Sequence, residues 1–181
     1  MGLFLTLSKI YVPRFLRKRK LELLFDATAD AFRVPIPSTR GLSFNNCLVL
    51  YAQFTRDLAA KSIQQNNRFE IESRLFKNAY RIGRQFKTDF HINNLDEAMV
   101  MSRVIYKLLK IEFCGKSDGN IIIERCFFSS YYSNDICQLI SFLDEGLITG
   151  LSGGGKLTFS KRLTSGDRCC HAHVEPAGKV K

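Results

Sequence analysis

Residues Cys126 to Val174 read CFFSSYYSNDICQLISFLDEGLITGLSGGGKLTFSKRLTSGDRCCHAHV, and the change of apolar period inside this stretch decides the fold. Ser133 or Asn134 is placed to cap a helix from about Asp135 to Leu151, in which Ile136, Leu139, Ile140, Leu143 and Leu147 recur at helical spacing. Gly153, Gly154 and Gly155 end it. Beyond them the period falls to two. Leu157 and Phe159 alternate with Thr158 and Ser160, the segment Thr164 to Asp167 turns the chain, and Arg168 to Val174 returns as a second strand with the polar side of the hairpin toward water.

Working outward, Asn120 to Phe128 is β-branched and aromatic enough for a strand, preceded by the turn residues Lys116 to Gly119. The earlier chain reads as helices. Leu21 to Phe32 is a short one, closed by the extended segment Val34-Pro35-Ile36-Pro37. Ser43 caps a helix to about Asn66, a third runs from about Phe69 to Phe90, and Asn94 with Glu97 resembles a capping box for a fourth from about Leu95 to Phe113. Gly83 inside the third helix costs about 1 kcal/mol against alanine and points to a close helix contact. The expected fold is a single α+β domain over residues 21–175. Its helices pack on an antiparallel sheet of three or more strands, at 120–128, 156–163 and 168–174, formed mainly by the C-terminal half.

A chain of 181 residues with 45% hydrophobic and 24% charged residues has the size and balance of one globular domain. The net charge of +10 is unevenly placed: Lys9, Arg14, Arg17, Lys18, Arg19 and Lys20 fall in residues 1–20 with no acid among them. The same arm carries Leu3, Phe4, Leu5 and Leu7, so it either packs as a helix on its own domain or meets an anionic membrane surface. No aromatic-basic strand pattern accompanies the charge, which argues against nucleic acid. Six cysteines without an export-type leader point to a reducing, cytoplasmic setting, with possible attachment to a membrane through the arm. Residues 176–181 read as a flexible tail.

Several constellations in the opening stretch carry chemistry. The run Gly150 to Lys156 looks like a phosphate loop, but Leu157 stands where a metal-binding hydroxyl belongs and the element order is helix, loop, strand. It is rejected. Cys137, Ser141 and Asp144 lie at i, i+4 and i+7 and share a helix face. A buried carboxyl needs a partner, so Asp144 either pairs with a base such as Arg125 or lines a cavity with its pKa raised. Cys126 ends a strand and Cys137 opens the next helix, with Tyr131 and Tyr132 nearby; a thiolate there gains from the helix N-terminus. On the last strand Cys169, His171 and His173 share one face, and Cys170, Ala172 and Val174 the other. Ligands about 7 Å apart on one strand rarely converge on an ion, so neither a metal nor another cofactor is expected.

The run from Cys126 through Cys137 and Leu143-Asp144-Glu145-Gly146 to Gly166-Asp167-Arg168-Cys169-Cys170 resembles the C-terminal half of the L-2-amino-thiazoline-4-carboxylic acid hydrolase family. That family pairs a cysteine at a strand end with a second in the next helix, an acid after it, and a closing Gly-Asp-x-Cys-Cys strand. Here His171, Ala172, His173 and Val174 follow where an acid and aromatics are the pattern. The layout is also similar to 4-vinyl reductase-type ligand domains and transport-particle subunits, which bind small or lipidic ligands. The first resemblance implies hydrolytic opening of a thiazoline ring by attack at an amidine-like carbon; the second implies binding without chemistry.

Two functions follow as expectations. One is a hydrolase acting on a C–N bond of a small cyclic amidine or amide, with Cys126 or Cys137 as nucleophile, Asp144 as acid-base or orienting group, and His171 or His173 as proton carrier. Tyr131, Tyr132, Ser141 and Arg125 would bind the substrate. The alternative is a non-catalytic small-ligand or lipid-binding module at the membrane surface.

Overall fold

Among the described residues four long helices come first, because their apolar residues keep helical spacing and each break coincides with a residue able to turn. The computed structural model describes residues 14–176, with the backbone alone for residues 14–20. Helix α1 is Arg14–Phe32, α2 Phe44–Gln64, α3 Arg68–Asp89 and α4 Leu95–Leu108. The Ser43 hydroxyl accepts from the backbone of Asn46 and the Asn94 side chain from that of Glu97, so both expected caps are in place. Arg33, Asn66 and His91 adopt positive φ just past α1, α2 and α3, where the helical backbone must leave its course. The arm expected at residues 1–20 lies outside the described residues up to 13; its remainder is the first part of α1, which runs unbroken across residue 20. The tail beyond 176 also lies outside them.

Four strands form one antiparallel sheet in the order β1-β2-β4-β3: β1 Ile111–Gly115, β2 Asn120–Cys126, β3 Lys156–Lys161 and β4 Cys170–Glu175. The α+β architecture, with its strands in the C-terminal half, is therefore as the sequence implies. β1 is the addition. Its first three residues fall inside the helix expected to reach Phe113, but Lys110 takes a φ of 56° and ends the helical course. After it Ile111, Phe113 and Gly115 alternate inward with Glu112 and Cys114 outward.

Between β2 and β3 run α5, Asn134–Ile140, and α6, Phe142–Ser152. The single helix expected over 135–151 breaks at Ser141. Its hydroxyl donates to the Gln138 carbonyl at 2.8 Å, a local bond of the kind that bends helices. α6 then lies against α3 with almost no side chains between them: a methyl group on Gly83 would strike the Leu147 carbonyl, one on Gly146 the Phe76 carbonyl, and one on Gly150 the Tyr80 carbonyl. The close contact read from Gly83 is this crossing. Helix α4 packs against β1 and α6 against β3, α3 lies on α6 and α1 on α3, and the hydrophobic core runs among them through Leu75, Met99, Leu139, Leu151 and Val174. Among the described residues no helix is long and apolar enough to cross a membrane.

Candidate functional site

Where α5 and α6 meet the inner face of the sheet lies a partly open cavity of about 100 Å³. Its walls are mostly aliphatic, from Leu24, Ile82, Ile105, Leu109, Ile111, Leu143 and Leu147. Set into them are the thiols of Cys126, Cys137 and Cys170, the Asp144 carboxyl, and the hydroxyls of Tyr51, Tyr106, Ser129, Tyr132, Ser141 and Thr164. The i, i+4, i+7 face of Cys137, Ser141 and Asp144 thus lies on one wall, despite the break at Ser141.

Asp144 does not meet Arg125. It accepts a hydrogen bond from the Tyr106 hydroxyl at 2.6 Å. Burial raises the Asp144 pKa to about 6, opposed by the Tyr106 hydrogen bond and by the positive charge of Arg162. The Tyr106 hydroxyl is itself held well above its ordinary value, first by burial and then by the neighbouring carboxylate. Arg125 is 81% exposed and faces Glu112 across 3.6 Å on the outer side of the sheet.

The reason lies in strand register. Phe113 pairs with Ile123, but Ile111 pairs with Cys126, so Glu124 and Arg125 together oppose the single residue Glu112. This β-bulge advances the alternation by one residue. Arg125, which would have followed Ile121 and Ile123 inward, turns to solvent, and Cys126 turns to the cavity. A second bulge occurs in β3, where Phe159 pairs with Ala172 and Lys161 with His171, leaving Ser160 over. It places Arg162 on the inner side instead of Lys161.

Arg162 lies 4.1 Å from the centre of the Phe159 ring, donates to Cys137 Sγ at 3.8 Å and donates to Ser141 Oγ at 3.1 Å. Its own backbone N–H is held by Asp167 at 2.9 Å. A donated, charged hydrogen bond stabilises negative charge on the sulfur it meets. The three sulfurs thus have different hydrogen-bond surroundings. Burial pushes the Cys126 thiol up to about 12, with Asp144 and Cys137 adding to the effect. Cys170 is also raised by burial, although its sulfur accepts from the Leu163 N–H at 3.4 Å.

The remaining expected site residues divide. Tyr132 lines the cavity and its hydroxyl is hydrogen-bonded to Thr55. Tyr131 packs on the Phe127 ring, 5.2 Å between centres, away from the cavity wall. His171 and His173 face the outer side of the sheet, since Cys170, Ala172 and Val174 take the inner one. His173 Nδ1 lies 3.2 Å from Asn120 Oδ1, a surface contact. The sheet thus separates both imidazoles from the cavity, which removes them as proton carriers there. Among the described residues no three His, Cys, Asp or Glu side chains are grouped to hold a metal ion. Sequence reasoning passed over Tyr106, Arg162 and Thr164; the first two acquire their roles through long-range packing and a bulge, which leave no local pattern.

Fold and site together define an α+β domain with a small, partly open, mainly aliphatic cavity that has one carboxyl and three thiols in its wall. No protein-family model and no curated protein matches this chain.

Proposed function

We propose that this cavity binds a small cyclic amidine or amide and that Cys137 attacks it to open a C–N bond. The observation that carries the reading is the convergence of two oppositely suited groups on one small cavity. Arg162 holds the Cys137 sulfur by a donated hydrogen bond, while burial keeps the Asp144 carboxyl near protonation at neutral pH. The thiolate forms a bond to the amidine carbon, the C=N electron pair moves onto nitrogen, and Asp144 supplies the proton that nitrogen takes up. The ring C–N bond then breaks with its electron pair on that nitrogen, as the exocyclic amino nitrogen forms a C=N bond to the carbon and passes a proton to the leaving nitrogen; water adds to the carbon and expels the Cys137 sulfur, returning a proton to Asp144. Cys126, with its thiol pushed up to about 12, stays protonated and shapes the wall.

The test uses L-2-amino-thiazoline-4-carboxylate, the substrate type implied by the resemblance of residues 126–174. Cys137→Ser is expected to abolish ring opening with the melting temperature unchanged, and Cys126→Ser to retain most of it. Equal loss in both, or none in Cys137→Ser, removes Cys137 as nucleophile.

The aliphatic character of the walls favours a second reading, a module that binds a small apolar ligand without chemistry. Under it, no cyclic amidine is opened, yet occupancy of the cavity still shields Cys137 from alkylation.

A further inference from the structure

The ladder between β3 and β4 ends with Lys161 opposite His171, one residue before Arg162. Arg162 nevertheless stays extended, at a φ of −140° and a ψ of 135°, and Asp167 holds it there. The Asp167 carboxylate accepts the Arg162 N–H at 2.9 Å, and the Asp167 N–H donates to the Arg162 carbonyl at 3.3 Å. One residue thus takes both backbone groups of Arg162, as a neighbouring strand would within the sheet. A charged acceptor makes the first of these bonds the stronger kind. Gly166, at a φ of 88°, lets the chain turn back sharply enough for Asp167 to reach. The same turn is tied to α5 at two points. The Ser165 hydroxyl donates to Asn134 Oδ1 at 2.7 Å, and the Arg162 guanidinium donates to Cys137 Sγ at 3.8 Å. Asn134 and Cys137 are three residues apart and share a face of that helix. A free arginine side chain has many rotamers, so its aim at one sulfur depends on where its backbone is fixed.

We propose that Asp167 is a positioning residue for Cys137: by closing the turn on the Arg162 backbone it aims the guanidinium at the sulfur. The inference rests on the reading of Cys137 as the attacking group, and it adds the residue that sets the sulfur's charged donor in place. Asp167 acts through Arg162 and takes no part in bond breaking. What it supplies is an acceptor at one position, so an amide oxygen there serves as well as a carboxylate. A carboxylate moved one methylene further out does not.

The experiment follows iodoacetamide labelling of Cys137 and Cys126 by mass spectrometry in the full chain, with Cys114→Ser throughout to remove the exposed thiol. Asp167→Ala is expected to slow labelling of Cys137 about 5-fold, the scale of one lost hydrogen bond, and to leave Cys126 unchanged. Asp167→Asn should label as wild type does, and Asp167→Glu should be slowed. In an Arg162→Gln background, itself slowed about 10-fold, Asp167→Ala should add nothing, because the two residues act in series. A further slowing there overturns the inference, as do faster labelling of Cys137 in Asp167→Ala and a change of equal size at Cys126, each the mark of a loosened fold. Should Asp167→Ala not fold, the other two variants decide: equal rates in Asp167→Glu and Asp167→Asn overturn the assignment. If Arg162→Gln alone leaves Cys137 unaffected, the reading of that sulfur as the activated nucleophile fails and this inference with it. If Arg162→Gln slows labelling and Asp167→Ala does not, only the role of Asp167 is lost.

Discussion

Tyr106 donates its hydroxyl to the Asp144 carboxyl across 2.6 Å, joining α4 to α6 inside the cavity wall. The pair makes the interior of this protein sensitive to pH. Asp144 titrates at about 6 instead of 3.8 because the folded state disfavours its charge. The native state therefore binds the proton more tightly than the unfolded chain does. Stability falls as pH rises from the unfolded pKa through about 6, and the whole loss is present above that value. Its size is about 3 kcal/mol. Asp144→Asn removes the charge and keeps an oxygen for Tyr106, so urea unfolding should find it progressively more stable than wild type between pH 4 and pH 7.5. A gap between the two proteins that is constant with pH would contradict the assignment.

Removing the donor acts in the opposite sense. In Tyr106→Phe the carboxyl keeps its burial and loses its hydrogen bond, so the stability midpoint should move upward in pH, with an overall cost of about 1–3 kcal/mol at neutral pH. The titration of Asp144 followed by carboxyl-labelled NMR reports the shift directly.

If Asp144 acts as the acid, ring opening should decline as pH rises through about 6, because the proton to be donated is then lost. Rate profiles in wild type and Asp144→Asn check this. The variant should be slow and lack that limb; a variant that keeps both rate and limb excludes the carboxyl from the reaction.

Thiol reactivity should follow the electrostatics of each sulfur. In a Cys114→Ser background, which removes the exposed thiol on the outer side of β1, iodoacetamide is expected to label Cys137 well before Cys126. Arg162→Gln should slow labelling of Cys137 about 10-fold while leaving Cys126 unaffected, read by mass spectrometry of digests. Loss of the charge with no change in rate would show that the guanidinium does not govern this sulfur.

The crossing of α3 and α6 should tolerate nothing larger than glycine. Gly146→Ala sets a methyl against the Phe76 carbonyl, and backbone on both sides cannot yield as a side chain would. A loss of about 1–3 kcal/mol or more is expected in urea unfolding. The same crossing seats α6, whose Leu143, Asp144 and Leu147 line the cavity, so the variant should also lose the protection of Cys137 by a bound ligand.

Local pattern in the sequence was enough to specify the α+β class, the helix caps at Ser43 and Asn94, the paired strands β3 and β4, and the shared face of Cys137, Ser141 and Asp144. Each of these depends on residues within a turn or two of one another, where backbone period and capping chemistry set the outcome. It also divided β4 into an inner and an outer face, which is where the histidines and Val174 are found. Tertiary structure decided the rest. Strict alternation carries Arg125 inward with Ile121 and Ile123, and only the pairing of β2 with β1 reveals the bulge that turns it out and brings Cys126 in. The bulge at Ser160 does the same for Arg162. The partner of Asp144 comes from a helix 38 residues away, chosen by how α4 and α6 dock and not by any spacing along the chain. A register shift of one residue exchanges the two faces of a strand, so the identity of the groups that meet in this cavity is a property of the assembled sheet and helices.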